Sequence, residues 1–143
     1  MTDFKVFLTY TIRYRSNTLP RSHLLVYRAL LLLWLAAVTY LALTGDQYPL
    51  VSQINDKVAH GVTFYLLALL LDFSFPGTRF NGAKVAFLLG YGALLEAAQL
   101  ATPSRDPSFY DFLADAAGIA SYAVTIPLTK RIPILARRWE SGG

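Results

Sequence analysis

The chain of 143 residues is 55% hydrophobic and 15% charged, with a mean hydropathy of +0.40, and a soluble domain of that size has too little interior for so much apolar surface. It is also short for two globular domains, which leaves one compact unit inside a membrane. The absence of cysteine excludes disulfides, thiol catalysis and cysteine-ligated zinc, and the net charge of +4 comes without the basic, aromatic-interleaved patch that nucleic acid requires.

Residues 1–23 form a basic segment, with Lys5, Arg13, Arg15 and Arg21 against the single acid Asp3. The run 24–44 is apolar apart from Arg28 and is long enough to span a bilayer. It exceeds a signal-peptide core and follows too extended a basic region, so an uncleaved anchor is expected. A polar turn at 45–55 containing Pro49 leads to a second apolar run, 58–75, interrupted by His60 near its start and Asp72 near its end. Phe75, Pro76, Gly77 and Thr78 then break the helix, because proline cannot continue the hydrogen-bond ladder.

The third run, 83–101, carries Glu96 and Gln99 near its end and stops at Thr102 and Pro103. A fourth covers about 109–128, with Asp111 and Asp115 near its start, and residues 130–143 make a basic tail. An acid at mid-bilayer costs roughly 2.5 to 3.5 kcal/mol on the insertion scale, so the last two runs have re-entrant half-helices as an alternative. Their acids sit near helix ends, where that cost falls, and four full spans are expected. The fold class is therefore all-α, a polytopic four-helix bundle over residues 24–129.

Orientation follows from basic residues in short loops. With four spans, all 13 lysines and arginines except Lys57 and Arg105 fall on the side of the two chain ends, which is then the cytoplasm. The expected location is a cytoplasmic membrane. Loops 45–57 and 102–110 would face outward. Arg28 and Asp72 lie towards the cytoplasmic side, where snorkelling or mutual pairing accounts for them.

That topology gathers the unusual residues at the outer mouth: Asp56, Lys57, His60, Glu96, Gln99, Arg105, Asp111 and Asp115. Lys57 and His60, Glu96 and Gln99, and Asp111 and Asp115 each share a helix face by their spacing. Glu96 and Asp115 would lie on the order of 7 to 10 Å below the outer helix ends, within reach of water. Plainer roles stand beside this one. Asn55 or Asp56 can cap the second helix, and Ser108 with Asp111 has capping-box spacing. Lys57 and Arg105 can be interfacial anchors, Glu96 and Asp115 can fix helix packing, and His60 can be structural. The small residues of the fourth span suit close helix packing.

In this ordered set the chain resembles the VanZ-like family of small bacterial membrane proteins. Asp56, Lys57 and His60 at the head of one helix, Glu96 and Gln99 at the end of the next, Arg105 in the following loop, then Asp111 and Gly118 match the family pattern over about residues 50–125. The chain departs from it at Phe64, where a tyrosine is frequent, and at Asp115, where an asparagine is frequent. The resemblance implies a multi-spanning envelope protein, in a family whose named member is linked to teicoplanin resistance.

Two functions from different classes are expected. In the first, the outer pocket binds an anionic envelope lipid or a polyprenyl-linked cell-wall precursor: Lys57, His60 and Arg105 engage phosphate, for which the arginine fork is suited, while the acids orient those cations or accept sugar and amide donors. In the second, Glu96, Asp111, Asp115 and His60 serve an intramembrane hydrolase or phosphoryl-transfer enzyme as acids and bases. Ser104, Arg105, Asp111 and Asp115 echo one motif of the type 2 phosphatidic acid phosphatases, but Asp111 stands where those enzymes have their nucleophilic histidine, so that mechanism does not apply. A metal-dependent version would draw on His60, Glu96, Asp111 and Asp115; no cofactor or metal is otherwise expected. A membrane scaffold is the third alternative, and the expected partners are membrane lipids and no nucleic acid.

Overall fold

A computed structural model describes residues 21–44, 56–101, 108–133 and 135–136. Four helices make up the described chain: α1 (Arg21–Leu43), α2 (Asp56–Ser74), α3 (Gly82–Gln99) and α4 (Phe109–Thr129). They match the four apolar runs to within about three residues. α3 and α4 are each unbroken over 18 and 21 residues.

The helices begin and end for local reasons. α1 contains neither glycine nor proline over its 23 residues. α2 starts with Asp56, a carboxylate beside the positive end of the helix dipole, and stops one residue before the Phe75-Pro76-Gly77 breaker. Asn81 caps α3 by accepting a hydrogen bond from the Lys84 backbone N–H at 3.2 Å. Ser108 caps α4 in the same way, accepting from Tyr110 N–H at 3.2 Å.

Three helices, α1, α2 and α4, are long and apolar enough to cross a membrane. α3 is not among them, because Lys84, Glu96 and Gln99 stand within its 18 residues. At about 1.5 Å per residue it still extends roughly 27 Å, close to the thickness of a hydrocarbon core. The apolar surface confirms where the solvent changes: α1 buries only Leu31, while Leu25, Leu32 and Leu33 are about two-thirds exposed. A largely apolar helix that the other described helices leave so exposed fits a lipid surrounding.

Neighbouring helices run antiparallel, so the ends of α1 and α3 meet the starts of α2 and α4 at one end of the bundle, here the near end; the opposite end is the far end. α1 packs on α2 and α3, α4 packs on α2 and α3, and the most extensive contact joins α2 to α4. Phe64, Leu67, Ala68 and Leu71 of α2 meet Leu31, Leu88, Ile119 and Tyr122 in the core. Between α2 and α4 the backbones nearly touch. A Cβ added at Gly118 would lie 2.2 Å from the Gly61 carbonyl oxygen, so only glycine permits this approach.

The far end is closed by a buried polar cluster. Asp72 has no solvent exposure, and both its oxygens are occupied: Lys84 Nζ donates to Oδ1 at 2.7 Å and the Tyr122 hydroxyl to Oδ2 at 2.8 Å. Lys84 also donates to the carbonyls of Phe75 at 3.1 Å and Thr78 at 2.9 Å, tying down the α2–α3 turn. The expected pairing of Arg28 with Asp72 is therefore corrected. Arg28 Nε donates to the Ser74 carbonyl at 3.3 Å and its guanidinium lies over the Phe75 ring at 5.5 Å, because the shorter route to Asp72 belongs to Lys84.

Two stability outcomes follow for protein in detergent. Gly118→Ala should cost about 1–3 kcal/mol, the range for overpacking, whereas Gly90→Ala, with open space around the added carbon, should leave the melting temperature nearly unchanged. Lys84→Met should cost about 3–5 kcal/mol by stranding a buried carboxylate, and adding Asp72→Asn should recover most of that loss, since an amide still accepts from Tyr122. Additive penalties in the double variant would show that Asp72 and Lys84 are not coupled.

Candidate functional site

At the near end, the first turns of α2 and α4 run side by side and pair by charge. Lys57 Nζ lies 2.9 Å from Asp111 Oδ1, and His60 Nδ1 lies 2.8 Å from Asp115 Oδ1. The spacing explains both contacts. Residues three apart on α2 and four apart on α4 each lie on one face, and the Gly61–Gly118 contact one turn further in brings those faces together. Lys57 keeps half of its side chain exposed, whereas Asp111 and Asp115 are buried.

α3 contributes differently. Glu96 Oε2 accepts a hydrogen bond from the Ser108 backbone N–H at 3.0 Å. In a capping box that N–H is answered by the residue three positions after the cap, which here is Asp111. Asp111 turns instead to Lys57, and Glu96 closes the box from a neighbouring helix. Gln99 Nε2 donates to the Ala42 carbonyl at 3.2 Å, fastening the end of α3 to the end of α1. Among the described residues no hydrogen bond joins Glu96, Gln99 and Asp111 to one another. Arg105 lies outside the described residues.

Beneath this mouth is a cavity of about 130 Å³. Asp56, His60, Glu96, Gln99 and Asp115 supply its polar lining, and Val38, Leu41, Phe64 and Leu95 its apolar lining. Lys57 and Asp111 do not line it; Lys57 borders a separate cleft between α2 and α4. The described near end thus holds four carboxylates, at Asp56, Glu96, Asp111 and Asp115, against one ammonium and one imidazole. Such a set accepts hydrogen bonds and attracts cations, and its one ammonium is already engaged.

One positioning residue has no chemistry of its own to betray it. Gly92 of α3 faces the site so closely that a Cβ there would lie 2.8 Å from Asp115 Oδ2 and 3.2 Å from the Phe64 ring. The local signal is the pair Gly90 and Gly92 inside an apolar helical run, which marks a close approach without showing which glycine makes it or with what partner. Phe64, at the position where the family resemblance leads one to expect tyrosine, is a wall of the cavity and is almost wholly buried.

The metal set expected from the sequence also changes. Ligand atoms of Asp56, His60 and Asp111 lie within 4.8 Å of one another; Glu96 and Asp115 are not in that group, since Glu96 is held on Ser108 and Asp115 on His60. No protein-family model, curated protein or solved structure matches the chain.

If Gly92 sets the position of Asp115, Gly92→Ala should disturb the His60 pair while the fold persists. The imidazole nitrogen resonances of labelled protein should move in Gly92→Ala and stay in place in Gly90→Ala. Unchanged resonances in both would detach Gly92 from the site.

Proposed function

We propose that the chain is a four-span, VanZ-like protein of a bacterial cytoplasmic membrane, with its near end outward, and that the near-end cavity holds the polar head of an envelope lipid or polyprenyl-linked cell-wall precursor. The observation that carries this reading is the two-sided lining of the cavity: carboxylates, His60 and Gln99 on one side and an aliphatic wall from α1 on the other. An amphiphile needs both surfaces at once.

The orientation draws on the charges placed by the bundle. Arg21, Arg28, Arg79, Lys84, Lys130 and Arg131 stand towards the far end and Lys57 alone, among the described lysines and arginines, at the near end. Basic residues mark the cytoplasmic side. The expected division of labour is adjusted by the geometry. A cavity rimmed with carboxylates suits hydroxyl, amide or ammonium donors, as on a sugar or peptide, rather than a bare phosphate. Phosphate is left to the mouth, where the half-exposed Lys57 sits, with Arg105, outside the described residues, as the second cation the sequence offers. Altered glycopeptide tolerance is the phenotype the family resemblance suggests.

A second reading rests on the His60–Asp115 pair, whose 2.8 Å contact is the arrangement that orients an imidazole as a general base. In that case the same headgroup is hydrolysed after it binds. Turnover lost in His60→Gln, with lipid retention intact, would favour this enzyme over the binding protein.

Orientation is directly testable because the chain has no cysteine. Gln47→Cys and Asp106→Cys should react with an impermeant maleimide on intact cells, and Thr2→Cys and Ser141→Cys should not; labelling at either end would reverse the topology. For binding, native mass spectrometry after mild extraction should show a retained envelope lipid. Glu96→Gln still accepts from Ser108 but loses its charge, so retention should fall about tenfold, the loss of roughly 1.5 kcal/mol expected for one charge-assisted hydrogen bond. Arg105→Lys keeps charge but not the two-pronged fork, and should weaken retention of a phosphate-bearing lipid. Wild-type retention by both variants would leave the scaffold alternative.

A further inference from the structure

We propose that Asp56, His60 and Asp111 form a binding site for one divalent transition-metal ion, of the zinc or manganese class, at the mouth of the near-end cavity. Their candidate ligand atoms lie within 4.8 Å of one another, and two ligands of a common ion at about 2.1 Å each stand at most about 4.2 Å apart. With His60 held by Asp115, the exposed Asp56 side chain is the ligand that would move inward to close the difference. Asp56 and His60 are four apart on α2 and so project from one face; Asp111 comes across from the first turn of α4.

Independent support comes from outside the ligand set. Asp115, 2% exposed, accepts at 2.8 Å from His60 Nδ1. A neutral imidazole that gives its Nδ1 proton to a carboxylate keeps its lone pair on Nε2. A carboxylate behind a histidine is the usual way proteins fix the tautomer and aim of a metal ligand. The remaining ligand, Asp56, is exposed and engages no hydrogen bond or ion pair among the described residues. It stands on the access side, ready to take an ion from solution.

Charge and donor type select the class of ion. Two carboxylates with a neutral imidazole carry two negative charges, which one divalent ion cancels. A mixed nitrogen and oxygen set of three is poor for calcium, which takes six to eight oxygens, and for magnesium, which keeps most of its water; it suits zinc or manganese. Lys57 donates to Oδ1 of Asp111 and leaves the second oxygen of that carboxylate for the ion, and its exposed chain can also withdraw. Three protein ligands leave coordination positions open. On the binding reading above, those positions give an acid-lined cavity what it otherwise lacks, a centre that attracts the phosphate or carboxylate oxygens of the lipid head.

The test uses the full chain, purified in detergent and stripped with a chelator. Titration with Mn²⁺ followed by electron paramagnetic resonance, and with Zn²⁺ by calorimetry, should show one ion per chain. Asp56→Asn and His60→Gln should each weaken binding at least about a hundredfold, and Asp115→Asn about 10- to 100-fold, as for loss of an outer-shell partner. Gly90→Ala, away from the site and with open space around the added carbon, should bind the ion like the parent chain. Asp56 is exposed, so Asp56→Asn remains informative even where the His60 variant fails to fold, with thermal unfolding as the check. No saturable binding of either ion, or binding that Asp56→Asn leaves unchanged in a folded protein, overturns the proposal. Lipid retention is read separately by mass spectrometry, so failure of the lipid reading and failure of the metal site give different results.

Discussion

The near-contact of two backbones, Gly118 on α4 against Gly61 on α2, sets the geometry on which the rest of the molecule depends. In lipid the hydrophobic effect gives no reason for two apolar helices to associate, so close packing and polar contacts carry the association. Small residues at 61 and 118 allow the closest approach of the bundle. One turn towards the near end, the same seam presents the charged pairs Lys57–Asp111 and His60–Asp115. In the other direction it carries the hydrogen bond between the hydroxyls of Tyr65 and Thr125, at 3.0 Å. A wider seam would put every one of these contacts out of range.

The two ends of the bundle handle buried charge in opposite ways. At the far end Asp72 is fully enclosed, and its partners Lys84 and Tyr122 occupy both oxygens while Lys84 also satisfies two turn carbonyls. Both charged groups of the pair have their partners, and the one buried polar atom there without a hydrogen bond among the described residues is the neutral Ser74 hydroxyl. That is the signature of a structural cluster. The near end is not balanced. Its carboxylates outnumber its cations, Asp56 is unengaged among the described residues, and a cavity lies directly below. Charge left uncompensated at the edge of a membrane is costly to keep, and a ligand is the ordinary reason for keeping it.

Much of this was legible in the sequence because the signals were local. Apolar runs of 18 to 23 residues locate the helices, the Phe75-Pro76-Gly77 breaker ends α2, and Ser108 announces the cap of α4. Alternating direction then brings residues 56–60, 96–99 and 111–115 to one end without knowledge of any contact. What the sequence withheld was the choice of partner. Arg28 and Lys84 were equally available to Asp72 by topology, and only the path of the α2–α3 turn decides for Lys84. Ser108 with Asp111 has the spacing of a self-contained capping box, yet Glu96 from α3 answers the cap. Gly92 is indistinguishable by pattern from Gly90 two residues before it, since what it admits, Asp115, lies on another helix. Register between helices is a property of packing, and no single stretch of sequence carries it.

α1 adds a last constraint. It buries only Leu31 fully, packs chiefly on α2, and is further tied by hydrogen bonds at its edges: Gln99 to the Ala42 carbonyl, Tyr91 to the Leu35 carbonyl at 3.1 Å, and its own Trp34 to the Thr63 carbonyl at 3.5 Å. Val38, Leu41 and Ala42 of the same helix wall the cavity. The polar lining thus belongs to α2, α3 and α4, which are tied together by charge, while the apolar wall belongs to the helix with the least buried surface. On the proposed reading, an amphiphile from the bilayer meets α1 with its chain and the carboxylate side with its head, so the charged side of the cavity receives the polar group while the exposed aliphatic helix stays towards lipid.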